Sequence, residues 1–235
     1  MIYGVILAGG VGRRMGGGEK PKQFLNIGGR PVIIHTLEKF VLVNEFEKIL
    51  VLCPEEWMEY TNELIGKYIP ERDKIMVLSG GESRNETLMN AIRHIEAEGK
   101  LDKDTVIVTH DAVRPFVTGR IIRDNIEAMK EHDACDTVMP ATDTIVESLN
   151  GESISAIPER KYLYQGQTPQ TFKAAKLKEI YDGLSEAEKE ILTDAAKIFV
   201  MKGQSVQLVR GETFNVKITY PYDLTVAEAL IANNI

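Results

Sequence analysis

The sequence predicts an α/β fold with a mostly parallel sheet covered by helices on both faces. Up to about residue 140, short apolar runs alternate with longer stretches at helical spacing. Those runs are near-continuous in hydrophobicity rather than alternating, as suits strands buried on both faces. The chain has 235 residues, 43% apolar and 27% charged, long enough to bury a full core and ordinary for a folded protein.

Each element follows from its own residues. Tyr3 to Leu7 reads as a buried strand and leads into the glycine-rich stretch "AGGVGRRMGGGEKPKQF". "RPVIIHTLEKFVLV" has helical spacing with Pro31 near its start, where a missing N–H costs nothing. The pattern then repeats: "KILVLC" strand, "EEWMEYTNELIGKY" helix, "KIMVLSG" strand, "RNETLMNAIRHIEAE" helix, "DTVIVTHD" strand, "RIIRDNIEAMKEH" helix, "CDTVMPA" strand. Beyond it, "DTIVESL" and "ESISAI" flank Asn150-Gly151, a strong hairpin signal because both turn positions need positive φ. A β-arm is therefore expected over about residues 141–175. Its exposed edge suggests that it packs against a second copy of the chain. Helical spacing returns in "SEAEKEILTDAAKIFVMKG", with Ser185 and Glu188 as a capping box; "SVQLVRG" is a strand, and a last helix is expected from about Thr225 with Glu228 three residues on. No repeat, low-complexity tract or linker interrupts the chain, so one domain over 1–235 with an arm is expected.

The net charge of -7 argues against a broad nucleic-acid footprint and against adhesion to anionic membranes. No apolar stretch approaches the roughly 20 residues that span a bilayer, and no charged region precedes the first apolar run, so a cytoplasmic protein is expected. Cys53 and Cys135 lie in strand-like runs without CxxC spacing and read as buried free thiols.

In an open α/β sheet, ligands sit beyond the carboxyl ends of the strands, and the loop after the first strand is the usual phosphate site. Here Gly10, Gly12 and Gly16 read G-x-G-x-x-x-G, not the dinucleotide G-x-G-x-x-G, and Gly18 is followed by Glu19, Lys20 and Pro21 rather than by the G-K-[ST] of a Walker loop. The stretch also carries Arg13, Arg14, Lys20 and Lys22. That many cations suit a triphosphate under attack, where negative charge builds up, better than a pyrophosphate that is only held. A solvated basic turn is the plainer alternative.

Other candidates also have plain readings beside functional ones. Ser83 with Glu86 forms a capping box after Gly80 and Gly81 at a strand end. Arg84 could reach phosphates or pair with a carboxylate. Asp111 ends an apolar strand and could cap a turn or begin a Mg²⁺ site, since such a site needs only one or two carboxylates plus substrate phosphate oxygens. His110 reads as a satisfied core histidine, and Lys217 as a solvent-facing strand residue.

"LAGGVGRRMG" followed by "PKQF" resembles the N-terminal signature of the cytidylyltransferases that make CDP-methylerythritol or CDP-ribitol, a branch of the sugar-nucleotide transferases with a Rossmann-like fold. The resemblance extends through "GGESRNET", "THDAVRPF", "DTIVES", "YQGQTPQTF", "LTDAAKI" and "NVKITYPYDL". "LAGG", "RNET", "THDAVRPF" and "YQGQTPQTF" are more similar to the ribitol-5-phosphate enzymes of teichoic-acid (cell-wall) synthesis than to the methylerythritol-phosphate enzymes of isoprenoid synthesis.

The resemblance implies transfer of the cytidylyl group of CTP to D-ribitol 5-phosphate, releasing pyrophosphate, with Mg²⁺ as cofactor and a homodimer clasped by the arm. It makes Arg14 and Lys22 the groups that stabilise the α-phosphoryl centre and Lys217 the cation that orients the attacking phosphate. Nucleotide contacts fall to Leu7, Ala8, Gly9 and Gly10, to Gly80, Gly81, Glu82, Ser83, Arg84 and Thr87, and to Ala112. Asp111 becomes the metal ligand; some relatives have a second carboxylate before the N-x-K motif, where this chain has Phe214. Thr144 and Arg160, with Lys217, would hold the acceptor phosphate, the two arm residues serving a partner's site. The spacing from Arg14 leaves open whether Lys20 shares the task of Lys22. The rival acceptor is 2-C-methyl-D-erythritol 4-phosphate, and a rival of another class is a non-catalytic nucleotide-binding regulator.

Overall fold

The structure, a computed structural model, describes residues 1–10, 20–192 and 194–233. Strand β1 (Ile2–Leu7) opens the chain. A small hairpin, β2 (Asn26–Ile27) and β3 (Arg30–Pro31), follows. Gly28 and Gly29 join its strands at φ 56° and 78°, the left-handed pair that a two-residue hairpin turn demands. Then come α1 (Val32–Val41), β4 (Lys48–Cys53), α2 (Met58–Tyr68), β5 (Ile75–Ser79), α3 (Arg84–Ala97), β6 (Val106–Asp111), α4 (Gly119–Ala128) and β7 (Ala134–Pro140). The chain ends with β8 (Tyr164–Lys173), α5 (Ala174–Asp182), α6 (Glu186–Glu190), α7 (Ala195–Met201), β9 (Gln207–Arg210) and α8 (Pro221–Ala232).

The central sheet has seven strands in the order β5-β4-β1-β6-β8-β7-β9. Every neighbouring pair is parallel except those made by β8, which runs antiparallel to both β6 and β7. Leu7 is in register with both Leu52 and Asp111, so three strands end at one level. One face of the sheet packs on α1, α2 and α4 through Ile6, Val51 and Val108; the other packs on α3, α5 and α7 through Val5, Leu50 and Ile107. On α1, Ile33, Leu37 and Phe40 are fully buried at helical spacing, each contributing about 1.5–3 kcal/mol of transfer free energy. Cys53 and Cys135 are buried free thiols, and burial pushes the Cys135 thiol up to about 12. Among the described residues, no helix is long and apolar enough to cross a membrane.

Four expectations need correction. The segment outside the sheet is shorter than the expected arm of 141–175: the chain leaves after Pro140 and re-enters as β8 at Tyr164. Thr168, Gln170 and Thr171, within the span assigned to the arm, are buried residues of this strand; Thr109 Oγ1 donates to the Gln170 carbonyl and Thr171 Oγ1 to Asn125 Oδ1. The arm itself is mostly irregular, with a single bridge between Glu147 and Ala156 and with Gly151 at φ 75°.

The helical stretch after Ser185 divides into α6 and α7. The Ser185–Glu188 capping box starts the first, and Asp194 caps the second by accepting from the Ala196 N–H. The last helix starts at Pro221 rather than Thr225, because the Asp223 carboxylate accepts from the N–H groups of Thr219 and Tyr220. Glu228 instead accepts from the Gly28 N–H, tying α8 to the β2–β3 hairpin.

Candidate active site

A cleft of about 280 Å³ opens at the carboxyl ends of β1, β5 and β6. Four chain segments line it. The first comprises Leu7 to Gly10 together with Lys22 and Gln23; in it the Ala8 N–H donates to the Leu52 carbonyl and the Ala8 carbonyl accepts from Gln23 Nε2 at 2.6 Å. Lys22 follows on a single 3-10 turn, Lys22–Phe24. It is buried, and its Nζ donates to the Ile218 carbonyl at 2.9 Å. Lys20 takes another direction: its ammonium donates to the Tyr60 hydroxyl and lies 4.9 Å from that ring's centroid. Lys22, not Lys20, faces the cleft. Arg14 lies outside the described residues.

The second segment is the turn from β5 into α3, where Gly81, Glu82, Ser83, Arg84 and Thr87 line the cleft. A Cβ at Gly81 would sit 2.5 Å from Glu86 Cγ, so only glycine lets the turn close against α3. Ser83 caps α3 by accepting from the Glu86 N–H, but the expected box is half-formed, since Glu86 reaches the Glu82 N–H instead. Thr87 Oγ1 is committed locally, donating to the Ser83 carbonyl at 2.8 Å and accepting from the Gly81 N–H at 3.0 Å. Gly80 is not among the lining residues; its N–H donates to the Cys53 carbonyl.

Asp111, Ala112 and Val113, at the end of β6, form the third segment, and Lys217 supplies the fourth. They meet in one charged centre. Arg84 Nη1 lies 2.5 Å from Asp111 Oδ1, Lys217 Nζ 2.8 Å from Oδ2, and Arg114 Nε 3.6 Å from Oδ2. Burial alone would raise the Asp111 carboxyl, but Arg84, Lys217 and Arg114 outweigh it and hold the group well below the usual carboxylate range. Three cations against one carboxylate leave the centre positive before any ligand arrives. Lys217, read locally as a solvent-facing residue, is thus turned inward.

Arg114, unremarked in the sequence, is the clearest addition. Its guanidinium also donates from Nη1 to the Asn215 carbonyl at 2.8 Å. A cation three residues after Asp111 was the available signal. His110 is fully buried and burial lowers it to about 4, so the ring is neutral at physiological pH, in keeping with a core histidine. Thr144 and Arg160 do not join the cleft; Arg160 Nη1 donates to the Thr142 carbonyl within the arm.

A divalent cation would find two carboxylate residues in the cleft lining, Glu82 and Asp111, the second already contacted by Arg84 and Lys217. Among the described residues no group of three or more His, Cys, Asp or Glu gathers as a metal site. The donor set therefore fits a cation that arrives with phosphate oxygens, and does not fit a resident all-protein site.

Comparison with known proteins decides the family. The family model for "IspD: 2-C-methyl-D-erythritol 4-phosphate cytidylyltransferase" matches residues 2–233. This chain belongs to the IspD family. Solved structures agree. The 4-diphosphocytidyl-2C-methyl-D-erythritol synthase of Anaerococcus prevotii is 26% identical with a TM-score of 0.80, over 98% of this chain and 96% of that one. The 2-C-methyl-D-erythritol 4-phosphate cytidylyltransferase of Francisella tularensis is 28% identical with a TM-score of 0.80, over 97% and 98%. That of Thermus thermophilus is 29% identical with a TM-score of 0.71, over 99% and 100%. The chain is thus a cytidylyltransferase of the IspD family with a Rossmann-like fold. An IspD-family site must hold a triphosphate and an acceptor phosphate together, and a pocket rich in cations and backbone N–H groups suits both.

Proposed function

We propose that the chain transfers the cytidylyl group of CTP to the phosphate of an open-chain polyol phosphate and releases pyrophosphate. The observation that carries this is the convergence of Lys22, Arg84 and Lys217 at one cleft, where Asp111 is the counter-ion of Arg84 and Lys217 and Arg114 packs against the same carboxylate. An oxygen of the acceptor phosphate attacks the α-phosphorus in line. The acceptor is already ionised at neutral pH, so no general base is required and no covalent intermediate forms. Positioning and charge stabilisation supply the rate.

In this reading Lys22, together with Arg14, faces the charge that develops on the α-phosphoryl group, and Lys217 orients the incoming phosphate. Leu7 to Gly10 and Gly81 to Arg84 cradle the nucleotide by their backbone, and Thr87 shapes that cradle rather than reading the base, since its hydroxyl is committed to Ser83 and Gly81. Mg²⁺ would be held by Asp111 together with the nucleotide's phosphates, where it would neutralise triphosphate charge. Entry of the triphosphate offers Arg84 and Lys217 new anionic partners and so releases Asp111 for that role.

For the acceptor, 2-C-methyl-D-erythritol 4-phosphate is the reading that the family description and the solved relatives support best. D-Ribitol 5-phosphate is the second, carried by this chain's own "LAGG", "RNET", "THDAVRPF" and "YQGQTPQTF". Pyrophosphate release from CTP and Mg²⁺ with each acceptor in parallel separates them. Turnover of neither would overturn the transferase reading and favour a nucleotide-binding regulator.

We also infer a homodimer. The arm exposes Ile145, Val146, Leu149, Ile154, Ile157 and Tyr162, and a patch of that kind is a poor solvent-facing surface but a good partner contact. With the arm seated on a second copy, Thr144 and Arg160 would reach the partner's acceptor phosphate, which accounts for their distance from their own chain's cleft.

A further inference from the structure

We propose that His110 is a positioning residue, whose two ring nitrogens tie together the segments that hold Asp111, Arg114 and Lys217 in reach of the transferring phosphate. Its surroundings read first as those of a core histidine: it is fully buried, and its ring lies 5.4 Å from that of Phe40. The hydrogen bonds say more. Nε2 lies 3.1 Å from the Arg114 carbonyl and Nδ1 lies 2.8 Å from Thr168 Oγ1. A carbonyl can only accept, so Nε2 carries the proton. In the neutral ring Nδ1 then accepts from the Thr168 hydroxyl. The oxygen of that hydroxyl in turn accepts from the Asp111 N–H at 3.2 Å.

Both ends of this chain lead to the same loop. Thr168 offers its carbonyl to Asn215 Nδ2 at 2.9 Å, and Arg114 donates to the Asn215 carbonyl at 2.8 Å. Asn215 is buried and stands two residues before Lys217. The next residue, Ile218, is held by its N–H on the Val113 carbonyl and by Lys22 on its own carbonyl. One imidazole therefore braces the end of β6, the turn after it, strand β8 and the Lys217 loop. Only an aromatic ring with an acceptor on one edge and a donor on the other satisfies both partners at once, whereas an apolar residue of similar size would leave the Thr168 hydroxyl and the Arg114 carbonyl without these bonds in a dry interior.

The test pairs three variants with a measurement on the unmodified protein. In His110→Phe both links are lost; His110→Gln retains a donor toward Arg114, and His110→Asn retains an acceptor toward Thr168. The expected result is that kcat for cytidylyl transfer falls about 100-fold in the Phe variant, the scale on which a misplacement of about 1 Å acts. The KM for CTP should stay within about twofold, because the nucleotide cradle is built elsewhere. The Gln and Asn variants should each recover part of the loss. ¹⁵N NMR of the wild-type ring should show a protonated Nε2 and an unprotonated Nδ1. A folded Phe variant with wild-type kcat overturns the proposal, as does a protonated Nδ1. Should the Phe variant fail to fold, wild-type kcat in both of the other variants overturns it equally.

Discussion

Lys217 Nζ lies 2.8 Å from Asp111 Oδ2, and Arg84 holds the other oxygen of the same carboxylate at 2.5 Å. The two cations stand far apart in the sequence and meet on a single buried anion. Asp111 is thus the counter-ion that keeps Arg84 and Lys217 gathered and neutralised in part.

Replacing Asp111 by Asn should lower the thermal midpoint, because removing one partner of a buried ion pair typically costs about 3–5 kcal/mol, reduced here since Arg84 and Lys217 both reach solvent. The acid limb should change as well. The folded Asp111 carboxyl is depressed below its unfolded value, so its stabilisation is present above the unfolded value and is lost as pH falls toward the folded one. Urea denaturation at descending pH should therefore be less steep in Asp111→Asn than in wild type below about pH 4. Parallel curves would contradict the assignment.

Asp136 behaves in the opposite sense. Burial raises its carboxyl to about 7, with Gln170 Nε2 as its hydrogen-bond donor and Asp194 as a second carboxylate on the same donor. A raised acid stabilises the fold while protonated, and that contribution disappears as pH rises through the folded value. Asp136→Asn should flatten the decline in thermal midpoint between about pH 4 and pH 7 and exceed wild type at the alkaline end.

Lys22 and Lys20 are two residues apart but should differ sharply. Lys22→Ala should lower kcat by roughly 10²–10³, the usual effect of losing one preorganised donor at a developing charge, with the fold retained. Lys20→Ala removes only the contact with Tyr60, an exposed interaction, and should change kcat by less than about tenfold. Equal losses in steady-state assays would show that both reach the phosphates.

Phe172 and Phe199 stack at 5.5 Å between β8 and α7, both fully buried. Phe172→Ala should cost about 3–5 kcal/mol in urea unfolding. A loss under about 1 kcal/mol would mean that the helices close over the gap.

The proposed exchange of arm residues has a direct check. Arg160→Ala and Lys217→Ala proteins should each be impaired. Mixing them should restore part of the activity, because a hybrid dimer contains one site with both residues intact. No recovery after verified subunit exchange would place Arg160 outside the partner's site.

Much of the fold was legible because it is written in local periodicity. β1, β4, β5, β6 and β7, with α1 to α4 between them, follow from apolar runs and helical spacing over a few residues each, and strand ends in such a fold face the ligand. Gly81, Asp111 and Lys22 could therefore be nominated from sequence and resemblance. β8 could not, because its buried stretch includes Thr168, Gln170 and Thr171, whose side chains find partners only in distant segments: His110 of β6, Asp136 of β7, Asn125 of α4 and Asp194.

The sequence by itself determined the alternation of strands and helices from β1 through β7 apart from the β2–β3 hairpin, the placing of Leu7 and Asp111 at strand ends and of Gly81 in a turn, and the family to which the chain belongs. The tertiary structure alone decided that Lys22 faces the cleft while Lys20 turns to Tyr60, that Lys217 points inward, and that Arg84 and Arg114 share Asp111 with it. The physical reason is range. Periodicity is a property of neighbours along the chain, but an ion pair or a hydrogen-bonded brace such as that of His110 exists only once strand register and packing bring distant residues within a few ångströms.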